Sequence, residues 1–159
     1  MDIRPLDASE HADRCDAVIG SLPYFFDDPN GRAECAAAVR SQRGLVAVDG
    51  DGSVLGFLTI KQHFNESAEI TWMAVAASHR RQGIGRTLIN AIAAELSKAG
   101  LAEVFVLTRG QSVAEPDSED NYEGTRRFYQ AAGFISLREL SLRAWSNDFL
   151  ILARHLPSD

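Results

Sequence analysis

The chain has 159 residues, 45% hydrophobic and 24% charged, with a formal net charge of −6, enough for one domain with a real core. The negative balance argues against a nucleic-acid partner, which demands a basic face. No apolar signal region opens the chain and no apolar run approaches the roughly 20 residues of a membrane span, so no membrane association is expected. Cys15 and Cys35 are too few for a disulfide framework and read as small core residues, which makes a reducing cytoplasm the expected location.

Residues 2–5 read as a short strand. Ser9 is placed to cap the helix that follows, with Ala12, Cys15, Val18 and Ile19 on its buried face. Pro23 to Gly31 reads as a loop, with two prolines, a glycine and an Asp/Asn cluster. Tyr24, Phe25 and Phe26 within it have two readings: a local hydrophobic anchor, or the wall of a substrate pocket with Asp27 and Asp28 at its edge. An alanine-rich second helix runs to about Ser41. Leu45 to Val48 and Val54 to Phe64 are strands joined by Asp49-Gly50-Asp51-Gly52, a hairpin signal. Asn65-Glu66-Ser67 turns the chain into a third strand, which carries Glu69 and ends at Val75.

The next stretch organises the rest. Leu88, Ile89, Ile92, Ala93 and Leu96 form a helical stripe, and Gly100 sits where such a helix ends. Between the strand and this helix lies Arg80-Arg81-Gln82-Gly83-Ile84-Gly85-Arg86-Thr87. A helix start has unpaired N–H groups and the positive end of the macrodipole, which favours an anion. Glycine lets a phosphate come close to the backbone. The turn therefore reads as a diphosphate cradle. It does not fit the nucleoside-triphosphate loop, because no lysine follows a glycine. Nor does it fit the dinucleotide turn, because Leu88 holds the place of the third glycine.

Glu103 to Thr108 is a nearly continuous apolar strand, expected to be buried on both faces and parallel to the strand before the helix. Residues 109–121 form a long polar loop. Asp120 is placed to cap a helix over about 122–132, with Glu123 three residues on. That helix carries Phe128, Tyr129 and Ala132 inward and stops at Gly133. Strands over about 134–143 and 148–155 close the chain. No repeat or linker interrupts it, so residues 1–159 read as a single domain. His79 reads as a solvated loop residue. His11, His63 and His155 have no metal-ligand spacing, and no metal is expected.

The pattern R-x-x-G-x-G at Arg80, Gly83 and Gly85, set between strand and helix, resembles the coenzyme A signature of the GNAT superfamily of N-acetyltransferases. A second motif agrees: Tyr122 to Phe134 reads Y-E-G-T-R-R-F-Y-Q-A-A-G-F, similar to the family's helix ending in Y-x-x-x-G-F. The resemblance covers most of the chain. It implies the GNAT fold, an α/β (α+β) architecture in the order β-α-α-β-β-β-α-β-α-β-β. About seven strands form a mixed, mostly antiparallel sheet with four helices.

By resemblance, the backbone around Gly83, Ile84, Gly85 and Arg86 and the Thr87 hydroxyl hold a pyrophosphate. Arg80, Arg81 and Arg86 add positive charge beside Gln82. The backbone of Met73, Ala74 and Val75 pairs with a pantetheine arm as an added strand would. Many members have asparagine seven residues before the motif tyrosine. Here that place is Tyr122, with Asn121 adjacent, and both are candidates for cofactor contact. Tyr129 matches the general acid toward the coenzyme A sulfur, against a reading as core packing. Glu69 matches a glutamate general base, against a reading as a solvent-facing strand residue.

The expected activity is transfer of an acetyl group from acetyl-CoA to a primary amine, by direct attack in a ternary complex. Glu115, Asp117, Glu119, Asp120 and Glu123, with Asp27 and Asp28, favour a small cationic acceptor. A protein lysine or N-terminal transferase is an alternative, as is an acyl-CoA-binding regulatory module without turnover. A homodimer is left open.

Overall fold

The structure, a computed structural model, describes residues 1–109, 122–141 and 148–158. Its elements are β1 Asp2–Pro5, α1 Ala8–Gly20, α2 Pro29–Ser41, β2 Arg43–Val48, β3 Val54–Phe64, β4 Ser67–Val75, a 3-10 turn Ala77–His79, α3 Ile84–Lys98, β5 Glu103–Arg109, α4 Glu123–Ala131, β6 Ile135–Ser141 and β7 Asp148–His155. This is the order expected from the sequence. One seven-stranded sheet runs β1-β2-β3-β4-β5-β7-β6. Every neighbouring pair is antiparallel except β4 with β5.

Two cores form because the sheet is covered on both faces. Ile84, Leu88, Ile89, Ile92 and Leu96 of α3 pack with Tyr129 and Ala132 at α4 against Ala68, Ile70, Val104 and Val106. Cys15, Val18 and Ile19 of α1 pack with Cys35 and Val39 of α2 against Val46, Phe57 and Ala74. Burial pushes both thiols up to about 12, so they are inert core groups at neutral pH.

Three local expectations change. The cap of α1 is Asp7, whose Oδ1 accepts from the Ser9 N–H at 2.9 Å and the Ser9 hydroxyl at 2.6 Å. Ser9 already lies inside the helix, and a carboxylate at the last non-helical residue reaches the free N–H better. Tyr122 precedes α4 without a side-chain cap, and Glu123 instead pairs with Arg127 one turn on at 2.7 Å. The expected capping residue Asp120 lies outside the described residues. Finally, β5 alternates buried and half-buried residues rather than being buried throughout. Glu103, Phe105 and Leu107 face a side that no helix fully covers.

The departure that shapes the molecule lies in β4. Thr59 pairs with Trp72 and Ile60 with Ile70, so Thr71 is an extra residue on β4. Such a bulge bends and twists its strand. The Thr71 hydroxyl fastens it, sharing a 2.7 Å hydrogen bond with the buried Thr59 hydroxyl and donating to Gln42 Oε1. Pairing of β4 with β5 stops at the residue before the bulge, Ile70 opposite Val106. From there β4 stays with β3 as far as Val75, and β5 stays with β7 as far as Arg109. The sheet opens between its two halves.

Gly85 joins α3 to α4 across this opening. A Cβ there would lie 3.0 Å from Phe128 Cζ and 3.7 Å from Val75 Cγ2, so the missing side chain makes room for a ring. Gly85→Val is expected to destabilise by about 1–3 kcal/mol through overpacking. Combined with Phe128→Ala, it should cost less than the sum of the single changes in urea unfolding. Strictly additive losses would remove this packing role.

Candidate active site

The parted strands border a cleft of about 1450 Å³. Its walls include the edge of β4, the N-terminus of α3, the inner face of α4 and the segment after α1. Beyond Ile70 the β4 edge facing β5 has no strand partner among the described residues. Among the described residues, the backbone of Met73, Ala74 and Val75 pairs with β3 on one side only. Such an edge is a template for an extended, amide-bearing ligand.

At one end lies the turn into α3. Gly83 has φ +80° and leads directly into helical Ile84, the left-handed-then-helical geometry of a backbone anion nest. Space does not require glycine here, since a Cβ would meet nothing within 4 Å. The backbone conformation does. Arg81 also has positive φ, at +62°, which costs an L-residue roughly 1–2 kcal/mol. The first internal helix bond is Thr87 N–H to Gly83 O at 3.0 Å. The N–H groups of Ile84, Gly85 and Arg86 precede it, and no side chain caps them. Three donors without an acceptor among the described residues, at a positive helix end, suit a pyrophosphate, so the donor set fits coenzyme A.

The side chains around this turn differ in availability. Arg81 makes no hydrogen bond or ion pair among the described residues. Arg80 stacks on Phe25, 4.8 Å from the ring centroid. Arg86 donates to the Ala131 carbonyl at the end of α4. The Thr87 hydroxyl donates to Gly83 O at 2.9 Å, so its one proton is already engaged. Gln82 is exposed, while Ile84 and Gly85 are buried and have only backbone to offer. The missing Gly85 side chain makes room for Phe128, while its N–H remains among the uncapped donors of the turn.

Tyr129 is 5% exposed and packs edge-on to Phe128 and Phe134, with ring centroids at 5.2 and 5.3 Å. Its hydroxyl has no hydrogen-bond partner among the described residues, yet no buried side-chain polar atom among them is left unpaired. The hydroxyl therefore reaches open space, and that space is the cleft. Burial raises the phenol well above its ordinary value, so it keeps its proton at neutral and mildly alkaline pH. A protonated hydroxyl without a partner can donate to a leaving group.

Glu69 lies on the other face of the sheet, because it alternates with Ala68 and Ile70 of the α3-side core. Its Oε2 is 2.7 Å from His63 Nε2. His63 is itself the extra residue of a bulge, since Gln62 pairs with Ala68 but Phe64 with Ser67. The His63 ring lies 5.8 Å from that of Phe105, and His63 and Glu69 both line the cleft.

The aromatic run after α1 divides. Phe26 is buried and stacks on Trp72 at 6.0 Å. Phe25 meets Tyr122 edge-on at 5.7 Å. Both line the cleft with Asp27 and Asp28, whereas Tyr24 is 76% exposed and outside the lining. Asp28 caps α2 by accepting from the Asn30 N–H at 3.0 Å, which accounts for it structurally. The Tyr122 hydroxyl donates to Phe25 O at 3.4 Å, tying α4 to this wall. Burial pushes the Tyr122 phenol up, with the Arg109 guanidinium opposing and the Asp27 carboxylate adding. Asn121 and the acidic positions Glu115, Asp117, Glu119 and Asp120 lie outside the described residues.

Sequence reasoning missed His63, because metal-ligand spacing was the wrong question to ask of it. A regular register beyond the two-residue turn Asn65-Glu66 sets His63 opposite Ala68, and only the bulge brings it to Glu69. The other histidines serve the framework. His11 Nδ1 accepts from the Asp7 N–H at 3.0 Å, His79 Nδ1 shares a bond with the Ser78 hydroxyl at 2.8 Å, and His155 Nδ1 meets Glu103 at 2.9 Å.

A family model described as an acetyltransferase (GNAT) domain matches residues 40–136. An uncharacterized N-acetyltransferase of Chlorobaculum tepidum is 41% identical over 66 residues, which span 42% of this chain and 43% of that protein. A GNAT-family structure from Desulfovibrio desulfuricans superposes with a TM-score of 0.82 at 20% identity, covering 98% of this chain and 99% of that one. An aminoglycoside 6'-N-acetyltransferase complexed with coenzyme A gives 0.76 at 18% identity, covering 100% and 99%. With the cofactor turn and the tyrosine helix both inside or at the edge of the matched segment, the chain belongs to the GNAT acetyltransferase family.

Proposed function

We propose that the chain is an N-acyltransferase that moves an acetyl group from acetyl-CoA to a small cationic primary amine, by direct attack in a ternary complex. One observation supports this reading most. The unpartnered Tyr129 hydroxyl and the uncapped N–H groups of α3 border the same cleft. When bound, acetyl-CoA supplies an acyl group already activated as a thioester. Everything else is the work of the chain. The α3 turn and Arg81 hold phosphate charge, the open edge of β4 orients an amide-bearing arm, and Tyr129 holds a proton for the departing sulfur.

An amine near pKa 10.4 is protonated at neutral pH and must lose a proton before it attacks. Glu69 and His63 are the titratable pair on the acceptor face. Asp27 and Glu34 also line the cleft and are exposed, which favours a cation over an anion as acceptor.

A panel of amines of increasing positive charge, with thiol release followed, tests the activity. kcat/KM is expected to rise with charge and to fall with ionic strength. Tyr129→Phe should lower kcat by about 100-fold or more while leaving coenzyme A affinity nearly unchanged. Full turnover by that variant would return Tyr129 to packing. Absence of turnover by the native chain, with coenzyme A still bound, would favour a regulatory module.

Arg81 allows a second test. Arg81→Gly relieves the positive φ, so stability is expected to rise by up to about 1 kcal/mol while coenzyme A binding weakens several-fold. Unchanged affinity by calorimetry would exclude Arg81 from the phosphate site.

A further inference from the structure

The carboxylate that the sequence offers as a base is already engaged with an imidazole. Glu69 Oε2 and His63 Nε2 are 2.7 Å apart, with side chains 20% and 35% exposed. A carboxylate accepts only, so Nε2 carries a proton, and in the neutral ring Nδ1 presents the lone pair. Among the described residues Nδ1 has no hydrogen-bond partner. The β3 bulge and Phe105 fix the ring. Glu69 then plays the part a carboxylate plays behind any orienting imidazole, holding one tautomer and stabilising the cation that forms.

Resting on the amine-transfer reading above, we infer that His63 is the group that takes the acceptor's proton, and that Glu69 is its positioning residue. An ammonium acceptor loses two protons on becoming an amide. His63 Nδ1 takes one from the ammonium and passes it to solvent. As the N–C bond forms and the C–S bond breaks, the second passes from nitrogen to solvent, while the sulfur gains its proton from Tyr129, which solvent restores. The net products are amide, thiol and one free proton.

The other charged groups near the ring are few. Lys61 pairs with Glu69 across the strands and lines the cleft. Glu103, on the Phe105 side of β5, is held by His155. Of these, only Glu69 bonds His63.

The test combines His63→Gln, Glu69→Gln and the double variant. His63→Gln should lower kcat/KM at neutral pH by about 100-fold with coenzyme A affinity unchanged by calorimetry. The deficit should shrink as pH rises and free amine accumulates. Glu69→Gln, whose amide oxygen can still accept from Nε2, should lose less, and the double variant should be no worse than His63→Gln. Independently of turnover, the native protein should show a downfield, exchange-protected ring N–H resonance that disappears in His63→Gln and moves or broadens in Glu69→Gln. Full activity in His63→Gln, or a larger loss in Glu69→Gln, would overturn this inference alone. A native chain with no turnover on any amine would overturn the amine-transfer reading and this inference with it.

Discussion

The separation of β4 from β5 is the constraint on which the rest depends. Two parallel strands in one sheet would ordinarily stay paired along their shared length. Here pairing ends at Ile70 and Val106, because Thr71 is one residue more than β3 can match. The hydroxyls of Thr59 and Thr71 and the Gln42 amide satisfy the polar groups that the bulge places inside. Both strands remain anchored on their outer sides, so the opening is held by the framework and does not need a ligand to form. A backbone edge that would be a liability on the surface becomes a binding surface inside a cleft.

The polar side chains of the cleft are divided between the faces of the sheet. Tyr129 belongs to the core under α3 and α4, where burial keeps its phenol neutral. Glu69 and His63 belong to the opposite face, where they are partly solvated. The sheet lies between them, so the Tyr129 hydroxyl does not hydrogen-bond either member of the Glu69–His63 pair. Strain is concentrated at the third corner of the cleft. Arg81 holds an unfavourable backbone conformation beside uncapped helix donors, and a bound anion would offset both penalties.

The element order and both family motifs were legible in the sequence, because strand and helix periods, hairpin glycines and helix-ending glycines are local signals. The buried stripe of α3 was read from Leu88 to Leu96, without Ile84 and Gly85 at its start. What escaped reading was non-local. The role of Gly85 depends on Phe128, more than 40 residues away. The alternating burial of β5 depends on which face of the sheet the helices cover. The partner of Glu69 depends on a second bulge, and nothing in the run Gln62-His63-Phe64 marks its register. The aromatic run 24–26 could not be divided without knowing that Trp72 lies beneath Phe26.

The central claim is that the parted strands and the α3 turn form one continuous binding surface. A titration of the ¹⁵N-labelled chain with coenzyme A, followed by backbone amide shifts, tests it most directly. The account requires saturable changes at Arg81 to Arg86 together with Met73 to Val75 and Leu107 to Thr108, on both banks of the opening. Changes confined to the turn, or lying on the outer strands β1 and β6, would contradict it.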